Sequence, residues 1–336
     1  MSNLERDPAE VLLEDRAGGD AMGGDAASGL EILQSRDVPL GGPRAMSVRR
    51  TLPQRSRSLI GAWCFVDHYG PDDVTRGRGM VVPPHPHTGL QTVSWLFAGE
   101  IDHRDSAGSH ATVRPGELNL MTAGRGIQHS EVSTPDTTTL HGAQLWIALP
   151  DAFRHAEPRF EHFAPVPVAV GDAVLLVFLG SLCGVASPVP TFSPLVGAQV
   201  DLPRGSRVRL DLDPAFEHGV LVDAGPITVN GSLVEEGELA FVGRGIRSLE
   251  IEVDDVSVEG SARLLLIGGE PLGEQIVMWW NFIGRDHSEI VEFRRAWQEE
   301  VVLASAGAGR FGHVDSFDGA PLPAPEMPGV RLKPRG

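Results

Sequence analysis

Two short runs carry ligand chemistry in this chain. His85-Pro86-His87 sets two imidazoles two residues apart, and residues at i and i+2 of a strand point to the same side. His129-Ser130-Glu131 repeats that spacing with an imidazole and a carboxylate. A lone histidine pair beside prolines reads as a polar loop. Two such pairs on facing strands would converge the imidazoles of His85, His87 and His129 and the carboxylate of Glu131 on one point. That donor set suits iron(II), manganese, nickel or copper(II); magnesium and calcium prefer all-oxygen shells, and a structural zinc is suited only in part. An octahedral ion held by these four groups keeps two open positions, which is what binding a substrate together with dioxygen or water requires.

The remaining reactive side chains have plainer readings. His68, His103, His110 and His141 lie in the same half and are expected to be hydrogen-bonded turn or strand histidines. Cys64 sits between Trp63 and Phe65 and reads as a buried apolar thiol; Trp279 and Trp280 read as anchors packed on a barrel. Cys64 and Cys183 are the only cysteines, which excludes a disulfide framework or a Cys-rich metal site and fits a reducing compartment.

The elements that must position the ligands are short strands. From Met46 onward, apolar runs such as SLIGAWCFVDHYGP, QTVSWLFAGEI and GAQLWIALP alternate with Gly, Pro and Asp, and Gly 40 with Pro 26 favours turns over long helices. The run VSWLFAGEI followed by GELNLMTAGRGIQHSEV is echoed by VLVDAGPI followed by GELAFVGRGIRSLEIEV. Two β-domains of similar design follow, each closing its own edges as a barrel or sandwich. Glu117 and Glu238, in the paired GEL turns, then read as structural. GRGI at Gly124–Ile127 and Gly243–Ile246 lacks the Lys-Ser/Thr of a phosphate loop, so its glycines are turn residues. Under the GRGI register His129 corresponds to Ser248 and Glu131 to Glu250, and no His-x-His precedes the second copy, so function is localised in the first half.

The organisation expected is an acidic, flexible N-terminal extension over 1–45, a metal-binding barrel over 46–164, a second barrel without metal ligands over 165–272, and a C-terminal helix with a Pro-rich tail over 273–336. A D-x-x-E capping box at Asp286 and Glu289, followed by Ile290, Val291, Phe293 and Trp297, predicts the one helix. The net charge of −17 repels phosphate backbones and anionic lipid, so direct nucleic-acid and membrane binding are not expected. With no signal peptide pattern and no long apolar run, a cytoplasmic, monomeric protein is expected.

The segments HPHTGLQTVSWLFAGEIDHRDS, RPGELNLMTAGRGIQHSE, HGAQLWIALP, FVDHYGP and WWNFIGRDHSEIV together resemble the pirin family, bicupins of the cupin superfamily, from about Met46 to Arg310. The resemblance implies an all-β fold of two cupin-type (double-stranded β-helix, jelly-roll) barrels packed face to face, with a C-terminal helix returning to the first. It implies one mononuclear divalent metal, iron(II) (Fe2+) first, with manganese, nickel, copper or zinc as alternatives. His85, His87, His129 and Glu131 fall on the family's ligand positions. The implied activity is quercetin 2,3-dioxygenase chemistry on a flavonol, with Glu131 as catalytic base. Val93, Trp95 and Phe97 are expected to shape a dry pocket. Where pirins commonly carry a Glu four residues after the second His, this chain has Gln91, whose parity with His85 and His87 would place it near the metal if the strand stays regular. The alternatives are a non-enzymatic, metal-dependent regulator that binds a partner protein, and a dioxygenase or isomerase of another enol.

Overall fold

The computed structural model describes residues 30–39, 47–75, 79–255, 260–302 and 309–336. The first half contributes β1 (Leu30–Leu33), β2 (Arg36–Pro39), β3 (Ser47–Leu52), β4 (Trp63–Asp73), β5 (Val81–His87), β6 (Leu90–Ala98), β7 (Ile101–Asp105), β8 (His110–Val113), β9 (Leu118–Thr122), β10 (Ile127–Ser133), β11 (Thr139–Ala148) and β12 (Arg159–Phe163). The second contributes β13 (Val168–Val170), β14 (Ala173–Leu179), β15 (Ser181–Leu182), β16 (Val185–Ala186), β17 (Leu195–Pro203), β18 (Arg207–Asp211), β19 (Glu217–Ala224), β20 (Ile227–Val229), β21 (Ser232–Val234), β22 (Leu239–Val242), β23 (Ser248–Glu252) and β24 (Ser261–Gly269). The hairpin β25 (Val277–Trp279) and β26 (Phe282–Gly284) precedes α1 (His287–Trp297).

Each half builds one seven-stranded and one four-stranded sheet. The first has the orders β12-β9-β6-β11-β4-β3-β2 and β5-β10-β7-β8; the second has β1-β22-β19-β24-β17-β14-β13 and β18-β23-β20-β21. The duplication legible in the GEL and GRGI segments is therefore a duplication of topology except at one sheet edge, which β12 closes in the first copy and β1, from the start of the chain, closes in the second.

The two large sheets pack face to face. Val93, Trp95 and Leu145 of the first join Phe178, Leu221 and Leu265 of the second in one apolar cluster. Trp95 Nε1 donates to Gln199 Oε1 at 2.8 Å, and Trp63 Nε1 donates to the Gly268 carbonyl at 3.0 Å, so both indoles are satisfied across the seam. Inside the second barrel lies one continuous apolar core. Inside the first, the apolar side chains split into two clusters, one around Leu90, Ile127 and Trp146 and one around Leu96, Val82 and Leu140. Along β6, β10 and β11 the polar residues Ser94, His129, Glu131 and Gln144 fall between the two.

The start of the chain departs from the expected extension over 1–45. Leu30–Leu33 pairs antiparallel with β22 of the second barrel, and Arg36–Pro39 pairs with β3 of the first. Residues 1–29 and 40–46 lie outside the described residues. At the other end, Phe282 bridges to Thr88, and the Ile283 N–H donates to the Thr88 carbonyl at 3.0 Å, which binds the hairpin to the turn after β5. Trp280, Phe282, Ile290, Phe293 and Trp297 form one buried cluster with Phe311. The Asp286 side chain caps α1 by accepting from the Ser288 and Glu289 N–H groups. Glu289 reaches back one residue further than the capping box predicts, to the Arg285 N–H at 2.6 Å. The tail lies over the first barrel, where the Leu322 N–H donates to the Pro84 carbonyl at 2.8 Å. No helix among the described residues is long and apolar enough to cross a membrane.

Candidate metal centre

β5 and β10 are hydrogen-bonded neighbours, with His85 opposite His129 and His87 opposite Ile127. A bulge between His129 and Glu131 shifts the register by one residue. One ring nitrogen from each of His85, His87 and His129 lies within 4.8 Å of the others, and His87 Nε2 is 3.1 Å from His129 Nε2. Glu131 joins His129 in a second such group, which also contains His103. All five residues are buried. His85 Nδ1 lies 2.9 Å from the Pro83 carbonyl and so carries the proton, while His85 Nε2 is buried without a hydrogen-bond partner. Burial pushes His85 down to about 3 and drives His87 and His129 well below the ordinary imidazole range, with the neighbouring rings adding to the effect. These are neutral imidazoles with converging ring nitrogens, and neutral imidazole is the form in which histidine binds a metal. Ser94 Oγ lies 3.4 Å from Glu131 Oε1 and 3.0 Å from Gln144 Oε1.

The second barrel gives the comparison its meaning. There Leu210 faces Leu249 as His85 faces His129, and Val229 faces Ile251 as His103 faces Glu131. Leu210, Leu212, Leu249 and Ile251 therefore stand at the places of His85, His87, His129 and Glu131, all within the second core. The GRGI register, which matched His129 to Ser248 and Glu131 to Glu250, is off by one. β10 starts at Ile127 within GRGI, whereas β23 starts at Ser248 after an intervening Arg247, and a one-residue offset exchanges the two faces of a strand. Glu250 accordingly lies exposed.

Two further expectations are corrected. Gln91 does not share the direction of His85 and His87, because the chain turns at Thr88-Gly89, with Gly89 at φ +70, before β6 begins. Its Nε2 donates to Thr122 Oγ1 at 2.9 Å instead. Val93, Trp95 and Phe97 face the opposite barrel; Leu90, Ser94 and Leu96 are the β6 residues turned inward.

A second histidine cluster lies at the seam. His68 Nε2 and His141 Nε2 lie 2.6 and 2.7 Å from Asp223 Oδ1, and Arg263 Nε donates to Asp223 Oδ2 at 2.5 Å. Arg49 approaches His68 Nδ1 to 3.0 Å, and a guanidinium can only donate. His68 Nδ1 is thus the acceptor and Nε2 carries the proton for Asp223, which leaves no lone pair for a metal. The cluster is a hydrogen-bonded knot between the barrels, in keeping with the plain reading of His68 and His141. Sequence reasoning gave no signal for Asp223, nor for the buried Arg50–Asp67 pair at 2.7 Å inside the first barrel.

Fold and site together define a bicupin in which one barrel gathers buried imidazoles and a carboxylate while its twin fills the same space with leucine and isoleucine. Residues 45–147 match the Pirin family model and residues 197–302 match that of the Pirin C-terminal cupin domain. The chain belongs to the pirin family. It is 43% identical over 300 residues to a Pseudomonas aeruginosa protein provisionally named a quercetin 2,3-dioxygenase, covering 89% of this chain and 91% of that protein. It is 33% identical to a Caulobacter vibrioides pirin-like protein, over 88% of this chain and 99% of the relative. The crystal structure of a quercetin 2,3-dioxygenase from Acinetobacter baumannii superposes with a TM-score of 0.83 at 38% identity, covering 91% of this chain and 99% of the other.

Proposed function

We propose that the chain is a metal-dependent dioxygenase that opens the ring of a flavonol, with His85, His87, His129 and Glu131 holding one mononuclear divalent ion, iron(II) first among the candidates. One observation carries the reading: the buried imidazoles of His85, His87 and His129 converge, with the Glu131 carboxylate beside His129, where the twin barrel has Leu210, Leu212, Leu249 and Ile251. His85 Nε2 and His87 Nδ1 are buried without a hydrogen-bond partner, and such an atom costs about 1–3 kcal/mol unless it has something to bind. The names of the Pseudomonas and Acinetobacter relatives supply the substrate class.

A divalent ion in this donor set supplies positive charge that acidifies an enolic hydroxyl. The protein supplies the rest. Glu131 is the base that takes the 3-hydroxyl proton of the flavonol, with the Ser94 hydroxyl 3.4 Å from its Oε1. Leu90, Ile127 and Trp146 keep water from the resulting enolate, which reacts with dioxygen and opens with loss of carbon monoxide. The test follows flavonol loss and carbon monoxide release by the iron-loaded protein, beside His87→Ala and Glu131→Gln. Both variants are expected to lose turnover. Flavonol loss that persists without metal sinks the proposal, and tight metal binding with no turnover would leave the regulatory reading in its place.

A further inference from the structure

His129 engages neighbours through both ring nitrogens. Its Nε2 lies 3.1 Å from His87 Nε2, on the side where the ligand nitrogens converge, and its Nδ1 lies 3.3 Å from His103 Nδ1. His103 is buried, and its Nε2 lies 3.3 Å from Asp105 Oδ2. Asp105 is fixed in turn, since its Oδ1 accepts the Ala107 and Ser109 N–H groups at 2.9 and 3.0 Å.

Counting hydrogens along this row assigns each tautomer. A carboxylate only accepts, so the hydrogen in the Asp105 contact sits on His103 Nε2. With its one N–H given to Asp105, the His103 imidazole offers Nδ1 as an acceptor. The hydrogen between the two rings must then sit on His129 Nδ1. His129 Nε2 is left as a bare lone pair facing His87.

We propose that Asp105 and His103 form a relay that sets the tautomer and ring orientation of His129 for metal binding, His103 being a positioning residue and not a ligand. The inference rests on the reading of His129 as a ligand. The twin barrel supports it independently: β20 has Val229 at the place of His103, and two residues on Gly231 stands where β7 has Asp105. A scaffold requirement would persist in both copies, yet the relay occurs only in the copy that carries the ligand set. Ligating imidazoles in general donate their second nitrogen to an acceptor that fixes the ring, and loss of that acceptor costs roughly 10–100-fold in metal affinity.

Cobalt(II) is the probe, because its visible bands report the ligand field while its affinity is measured by competition with a chelator. His103→Leu removes the acceptor; His103→Asn returns an amide oxygen near the place of Nδ1 that can accept from His129. The relay predicts that His103→Leu binds cobalt(II) about 10–100-fold more weakly with shifted bands. It also predicts that His103→Asn recovers most of the affinity and the wild-type bands, and that the metal-free thermal midpoints of both stay near wild type. Wild-type affinity and bands in His103→Leu would overturn the relay. Equal losses in both variants, accompanied by a lower metal-free midpoint, would make His103 a structural residue and overturn it as well. His87→Ala separates this inference from the one beneath it. If His87→Ala binds cobalt(II) as wild type does while both His103 variants lose it, the ion sits between His103, His129 and Glu131, and the ligand assignment itself fails. If His87→Ala loses cobalt(II) and His103→Leu does not, the ligand assignment stands and only the relay falls.

Discussion

His87→Leu gives the first barrel the side chain that the second already carries at the same place, Leu212. In the metal-free protein His87 Nε2 meets only another imidazole nitrogen, His129 Nε2 at 3.1 Å, and His87 Nδ1 and His85 Nε2 are buried without a hydrogen-bond partner. An unsatisfied buried polar atom costs about 1–3 kcal/mol, and leucine replaces it with apolar carbon of comparable bulk. Metal-free His87→Leu should therefore be more stable than metal-free wild type by about 1–3 kcal/mol. Metal acts in the other direction. At a free-ion concentration of about 100 Kd, binding adds about 2.7 kcal/mol to the wild type. The variant, left with two imidazoles and a carboxylate, gains much less. The order of stabilities should thus invert between chelator and excess metal, which urea denaturation of both proteins under both conditions would reveal as crossed midpoints. A metal-free variant less stable than the wild type would refute the account, because it would make His87 a well-satisfied core residue. So would an equal gain on adding metal, because His87 would then not be a ligand.

Three other perturbations test separate parts of the structure. Arg50→Met leaves Asp67 buried without its cation and should cost about 3–5 kcal/mol in chemical denaturation, most of it recovered in the Arg50→Met/Asp67→Leu double variant. Burial pushes His218 down to about 4, below its unfolded value of about 6.5, so the unfolded chain binds more protons between those values. The stability this residue contributes above pH 6.5 is lost as pH falls toward 4, at up to about 1.4 kcal/mol per pH unit, and His218→Leu should flatten that slope in denaturation curves taken across the range. Gly124 and Gly243 open the two GRGI segments but differ in surroundings. A Cβ on Gly124, at φ +51, would lie 1.9 Å from the Ala156 carbonyl, whereas one on Gly243 meets nothing nearer than Phe241 at 4.0 Å. Gly124→Ala should cost about 2 kcal/mol or more and Gly243→Ala less than about 0.5 kcal/mol in the same assay.

How far the sequence could be read depended on whether a residue's direction is set locally. His85 with His87, and His129 with Glu131, each lie within one strand, so period-two spacing sufficed to bring them to one side. Gln91 lies beyond a turn, and parity does not pass through a reversal of the chain. Val93, Trp95 and Phe97 were misdirected because β6 is buried on both faces, so neither set of alternate residues is polar enough to mark the outside. The faces of the second GRGI strand hinged on one inserted residue, Arg247, which no composition rule detects. Asp223 meets His68 from the other barrel, and such a contact leaves no trace in local pattern. β1 and β2 are four residues each, too short to rise above the Gly- and Ala-rich stretches around them.

The attachment of β1 to the far barrel has a practical side. A chain trimmed to begin at Met46, where the strand pattern becomes obvious, would lose β1 and leave β22 paired on one side only, with β19. Leu239–Val242, four consecutive buried residues, would then be left with free backbone N–H and C=O groups at the rim of the second barrel. Shortened forms would be prone to pair edge to edge with one another. Expression boundaries drawn ahead of Leu30 preserve the seal.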